Sequence, residues 1–81
     1  MSLWRDPAMT GDDLIETLER LNLRYEEAAV LLGVSHRTVQ RWVADHVAVP
    51  ESVALALRLM LHFKVTPEAA RHLIETGRLP K

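Results

Sequence analysis

Apolar residues along this 81-residue chain recur at helical spacing, and no segment shows the alternation of a half-buried strand. Leu14, Ile15, Leu18 and Leu21 make one stripe, preceded by Thr10 and Asp13 at the spacing of a capping box, which predicts a first helix over Thr10–Leu21. Tyr25–Leu32 contains no Gly or Pro and runs directly into Gly33, which predicts a short second helix. A third begins after Ser35. Pro50, at a favoured first helical position, opens a fourth that continues to Phe63. Thr66, Pro67 and Gly77 bound a fifth over 66–76. The expected architecture is all-α: a small five-helix bundle spanning 10–81 as a single domain. Residues 1–9 are expected to form an N-terminal arm, with Trp4 as its candidate anchor on the body or on a partner chain.

The stretch 25–44, YEEAAVLLGVSHRTVQRWVA, carries the most specific pattern. A helix that must reverse within three or four residues needs an end residue that tolerates a left-handed backbone, and Gly33 supplies it. Ala29, beside Ala28, offers a small side chain where two helices cross closely, and Val34 can plug the corner between them. Ser35 is the expected N-cap of the third helix. With His36 at zero and about 100° per residue, Gln40, Arg37 and Arg41 fall at ~40°, ~100° and ~140°. Thr38, Trp42, Val39 and Val43 fall between ~200° and ~340°. The helix thus divides into a basic, polar face and a mostly apolar one anchored by Val39 and Trp42. Such spacing predicts a helix-turn-helix, whose second helix can enter a DNA major groove. Arg is suited to guanine O6 and N7, and Gln to adenine N6 and N7, so Arg37 and Gln40 are the expected base readers. Ser35, His36, Thr38 and Arg41 complete the expected contact set, mostly to phosphate.

At GVSHRTVQRW the chain resembles the lambda-repressor-like, Cro and XRE-type helix-turn-helix family, and the likeness extends over roughly Thr10 to Phe63. The resemblance implies a small transcriptional regulator of prokaryotic or phage type. It also implies double-stranded DNA as partner, with contacts from Ser35, His36, Arg37, Gln40 and Arg41. The chain departs from that family where Arg24 and Tyr25 stand in place of the usual Ser or Thr and Gln. It departs again after the tryptophan, where Val43, Ala44, Asp45 and His46 replace a Glu and a basic, glycine-containing loop.

Composition narrows the alternatives. There is no cysteine, which fits a reducing cytoplasm and excludes disulfides, a thiol nucleophile and cysteine-based zinc sites. No apolar run approaches the ~18–20 residues of a membrane span, and the N-terminal stretch, with Asp6, lacks the apolar core of a secretory signal. The net charge of −1 is unevenly distributed. Residues 1–32 hold three Arg against seven acidic residues; residues 33–81 hold seven Lys or Arg against four, and all four histidines. Charge asymmetry of this sign points the second part toward a polyanion.

The fourth segment, PESVALALRLMLHF, is apolar around most of its circumference, more than so small a bundle covers from one side. Leu57, Met60, Leu61 and Phe63 are therefore the expected homodimer contacts, and paired recognition helices would read half-sites about one DNA turn apart. Leu73 and Ile74 are expected on the fourth helix or on a partner chain. The alternative expectation is a protein-interaction module, such as an antitoxin or anti-repressor, on a helix-turn-helix scaffold. Catalysis is not expected. Ser35 and His36 are adjacent helical residues, which do not face each other, and His62 and His72 lack metal-ligand spacing. No cofactor or metal is expected.

Overall fold

The computed structural model describes residues 8–78 and contains five α-helices with no strand among them. They are α1 (Gly11–Arg20), α2 (Tyr25–Leu32), α3 (His36–Val43), α4 (Glu51–His62) and α5 (Pro67–Thr76). The all-α, five-helix expectation is met, and each predicted boundary lies within about one residue of the observed one. Pro50 precedes α4 as its cap rather than opening it, and Phe63 closes it. Trp4 and Lys81 lie outside the described residues.

The helix starts are chemically specified. Thr10 Oγ1 accepts from the Asp13 N–H at 3.1 Å, and Asp13 Oδ2 accepts from the Thr10 N–H at 3.1 Å, so the capping box forms. Donation to the Asp13 carboxylate, from the Thr10 N–H first and the Thr10 hydroxyl second, holds that carboxyl below the usual aspartate range. A depressed folded-state value contributes stability that is present above the unfolded-state value and is lost as pH falls through the folded one. Asp13→Ala is therefore expected to lower the urea midpoint at neutral pH but not in strong acid. An unchanged difference between the two proteins across that range would remove Asp13 from the acid response. At α2, Glu27 Oε1 accepts from the Arg24 N–H at 2.9 Å, and at α5, Thr66 Oγ1 accepts from the Ala69 N–H at 3.0 Å.

The helix ends share one device. Asn22, Gly33, Asp45, Lys64 and Gly77 all adopt positive φ, each one or two residues after the last residue of a helix. After the first four, the next N–H returns to a carbonyl five residues back: Leu23 to Leu18, Val34 to Ala29, His46 to Arg41 and Val65 to Met60, at 2.8–3.0 Å. This satisfies carbonyls the helix leaves open and reverses the chain within two residues.

The core is drawn mainly from α1, α3 and α4, with Ala28 and Ala29 from α2. Leu14, Leu18, Val39 and Leu57 are its largest fully buried side chains. Met9, assigned by its position to the arm, is buried and joins this core. The expected dimer contacts need correction here. Leu57 is 0 % exposed and Met60 9 %, so both are consumed by the chain's own core, and Leu61 is half-buried against it. The apolar residues that α4 leaves outside are Leu55, Leu59 and Phe63. Helix α5 meets α2 and buries none of its residues, so Leu73 and Ile74 remain exposed.

Candidate nucleic-acid interface

Helix α3 is held at both ends and along one side. At its start Ser35 Oγ accepts from the Thr38 N–H at 3.1 Å and lies 2.9 Å from Thr38 Oγ1. The two hydroxyls therefore form one cap, and Thr38 is half-buried. Val39 and Trp42, three residues apart, are buried at 1 % and 3 % exposure and fix the helix's rotation about its axis. The turn from α2 occupies Gly33, Val34 and Ser35. Gly33 has φ 71, and a side chain there would meet no neighbour, so its requirement is conformational rather than steric. Val34 is half-buried, and Ala28 and Ala29 are buried on α2 as its contact with α3 requires.

Rotation fixed this way leaves His36, Arg37, Gln40 and Arg41 exposed along the edge opposite Val39 and Trp42. Neither arginine makes an ion pair among the described residues, so both guanidinium groups keep their hydrogen-bond donors for an external acceptor. Of the six residues picked from sequence, these four form an open polar face. Ser35 and Thr38 sit at its N-terminal end with their hydroxyls engaged in the cap.

The far end of α3 is anchored by residues that sequence reasoning missed. Asp45 Oδ1 accepts the Gly11 N–H at 2.8 Å, across 34 positions of sequence, at the first turn of α1. Free N–H groups and the positive end of the helix dipole both favour a carboxylate there. Gly11 is buried, and a Cβ at that position would overlap the Val43 carbonyl group. The backbone of α1 thus lies directly on the last turn of α3. Asp45, which makes the loop after α3 less basic, is spent on this internal joint. The available sequence signal was Gly11 itself, a poor helix former in a helical first turn.

A second surface feature lies between α2 and α5. A cleft of about 660 Å³ is lined by apolar Val30, Leu31 and Ile74, with Glu26, Glu68 and Arg71 among the charged residues of its wall. Among the described residues no group of three or more His, Asp or Glu is placed to hold a metal ion. No helix is long and apolar enough to cross a membrane among those residues. Against protein-family models, curated proteins and solved structures, the chain finds no match.

Proposed function

We propose that this chain is a sequence-specific DNA-binding transcriptional regulator, acting as a homodimer on a two-fold operator, with α2 and α3 as its helix-turn-helix. The observation that carries this reading is the face of α3. An eight-residue helix, about 12 Å long, presents two arginines without an ion pair among the described residues, a glutamine and a histidine on one edge while Val39 and Trp42 lock the other. An α-helix with its side chains is about 10–12 Å across and fits the ~12 Å width of the B-DNA major groove. The likeness of GVSHRTVQRW to lambda-repressor-like domains supports the same reading.

Each residue then has a role. Arg37 and Gln40 read base edges; Arg41 and His36 engage phosphate; Ser35 and Thr38 hold the helix start, and the one hydroxyl hydrogen that their mutual bond leaves over is donated to a phosphate oxygen. Arg37→Ala is expected to cost about 1–3 kcal/mol and relax one base position. Arg41→Ala is expected to weaken binding to all sequences alike and to flatten the salt dependence by roughly one phosphate contact. Selection of duplexes from a random pool at about 0.15 M salt, with the Arg37→Ala/Arg41→Ala protein alongside, tests both. An enriched two-fold motif that the double variant fails to retain is the expected result. Equal enrichment by the two proteins would falsify the assignment.

The cleft between α2 and α5 favours a second reading, a protein-interaction module of antitoxin or anti-repressor type. Its apolar lining residues Val30, Leu31 and Ile74 and its carboxylates suit an amphipathic basic segment of another protein. In that case the selection enriches nothing, and a protein partner protects the α2–α5 surface from hydrogen exchange.

A further inference from the structure

Helices α2 and α5 each turn one stripe toward the cleft between them. On α2 the stripe runs through Glu26, Val30 and Leu31, and on α5 through Glu68, Arg71 and Ile74. Both recur at the three- and four-residue spacing of a single helix face. Val30 and Ile74 are 68 % and 67 % exposed, so the apolar part of both walls is open. Helix α5 buries none of its residues, and at ten residues it is shorter than the ~12–15 at which an isolated helix holds by itself. Ile74, its most exposed large apolar residue, lies in this cleft.

The charge around the cleft is one-sided. Four glutamates, Glu26, Glu27, Glu68 and Glu75, stand against Arg71. Arg71 is matched by Glu75 at 4.0 Å, and Glu27 by Arg24 at 3.9 Å. Glu26 on one wall and Glu68 on the other make no ion pair among the described residues. An acidic rim repels nucleic acid and anionic lipid, and it attracts a cationic surface. The walls are helices, and the described residues offer no strand edge, so the segment that packs here is a third helix laid against two. A second copy fits poorly. Cleft against cleft sets glutamate on glutamate, and the α3 face is basic but carries no large apolar side chain. Any other face of a second copy would meet the cleft head to tail, a contact that runs on without closing unless its rotation forms a ring.

We propose that the α2–α5 cleft is a docking groove for one basic, amphipathic helix of another protein, with apolar side chains seated on Val30 and Ile74 and Lys or Arg reaching Glu26 and Glu68. The proposal rests on the protein-interaction reading of the cleft and takes it further: it fixes the occupant's fold, charge and anchor points, and it frees docking from competition with DNA. None of the α3 residues assigned to DNA lines the cleft, so the groove is available whether or not α3 is engaged. Glu68 to Glu75 spans about two helical turns, which sets the occupant's anchors at i, i+3 or i+4, and i+7.

An NMR titration of the whole chain with a leucine–lysine peptide of about 15 residues, its leucines at i, i+3, i+4 and i+7, tests this. The chain supplies its own reporters. Ile74 lies in the cleft, Ile15 on α1 is the only other isoleucine, and Phe63, the single phenylalanine, is exposed at the end of α4. Expected is a saturable shift of the Ile74 methyl with a dissociation constant on the order of 10–100 μM, while Ile15 and Phe63 stay in place. Val30→Asp and Glu26→Lys/Glu68→Lys, all at exposed positions, should each weaken binding by ~10-fold or more with the helical circular dichroism intact. The same peptide with glutamate for lysine should not bind. The Arg37→Ala/Arg41→Ala protein should take up the peptide as the parent does, so loss of DNA binding and loss of docking are read apart. No shift at about 1 mM peptide, movement of Phe63 in place of Ile74, or equal binding of the acidic peptide overturns the proposal. So does a shift of Ile74 on concentrating the chain alone, which would make a second copy the occupant. A protein partner that protects α2 and α5 from hydrogen exchange, with no binding of the peptide, would keep the cleft as an interface and reject the basic helix.

Discussion

Leu57→Ala is expected to lower the unfolding free energy by about 2–5 kcal/mol, enough to unfold much of the population. Leu57 has no exposed surface, and α4 places it in a core it shares with Leu14, Leu18 and Val39. A core in a chain this short supplies only about 3–5 kcal/mol in all, so one cavity consumes most of it. The informative comparison is Leu59→Ala, two residues on, where the same atoms are removed from a side chain that is half outside. That change should stay within about 0.5–1 kcal/mol. Urea denaturation at equal slopes reads both values. Equal losses at the two positions would mean that α4 is rotated about its axis relative to the arrangement described.

That pair of residues also marks where sequence ceases to determine the answer. The apolar excess on α4 was visible from PESVALALRLMLHF, and the inference that the chain cannot cover all of it holds: Leu55, Leu59 and Phe63 stay outside. Which residues formed the excess was not visible. An almost uniformly apolar helix has no periodicity from which to read its rotation, and the neighbours that fix it, α1 above all, are distant in sequence. On α3 the opposite holds. Its apolar and polar residues separate cleanly by angle, so the buried pair Val39 and Trp42 and the open set His36, Arg37, Gln40 and Arg41 follow from the count alone. Thr38 sat at the margin of the polar arc, and its hydroxyl lies 2.9 Å from that of Ser35.

Chain reversals divide in the same way. Gly33 and Gly77 announce a left-handed end, whereas Asn22, Asp45 and Lys64 adopt the same conformation with a side chain present. Glycine tells the reader that a positive φ costs little; it does not tell where the fold will impose one on another residue. The boundary of the arm failed for a related reason. Met9 lies before the Thr10 cap and outside any periodic stretch, and only the packed structure draws it into the core.

Gly11→Ala is the substitution for which local and tertiary reasoning disagree in sign. Taken as a position in the first turn of α1, the change should help, because alanine is favoured over glycine within a helix by about 1 kcal/mol. Taken in the fold it should harm. The added methyl would overlap the Val43 carbonyl, which is backbone and cannot swing aside, and its carbon would also lie 3.0 Å from Asp45 Oδ2. Relief requires α1 to move off the last turn of α3, which stretches the 2.8 Å bond from the Gly11 N–H to Asp45 Oδ1. Overpacking of this kind costs about 1–3 kcal/mol or more, and a weakened cap adds roughly 0.5–2; set against the gain of about 1, the tertiary term wins and a net loss of about 0.5–4 kcal/mol is expected. Asp45→Ala, which removes the cap and creates no clash, isolates the smaller part. The joint also bears on the proposed function, since Val43 directly follows Arg41 and Trp42 at the end of α3 and Asp45 comes two residues later. Among molecules that remain folded, a Gly11→Ala protein should bind its selected site less tightly, because the C-terminal half of α3 no longer keeps its angle to α1. A Gly11→Ala protein more stable than the parent would show that α1 and α3 do not touch here, and that Asp45 is free to act elsewhere.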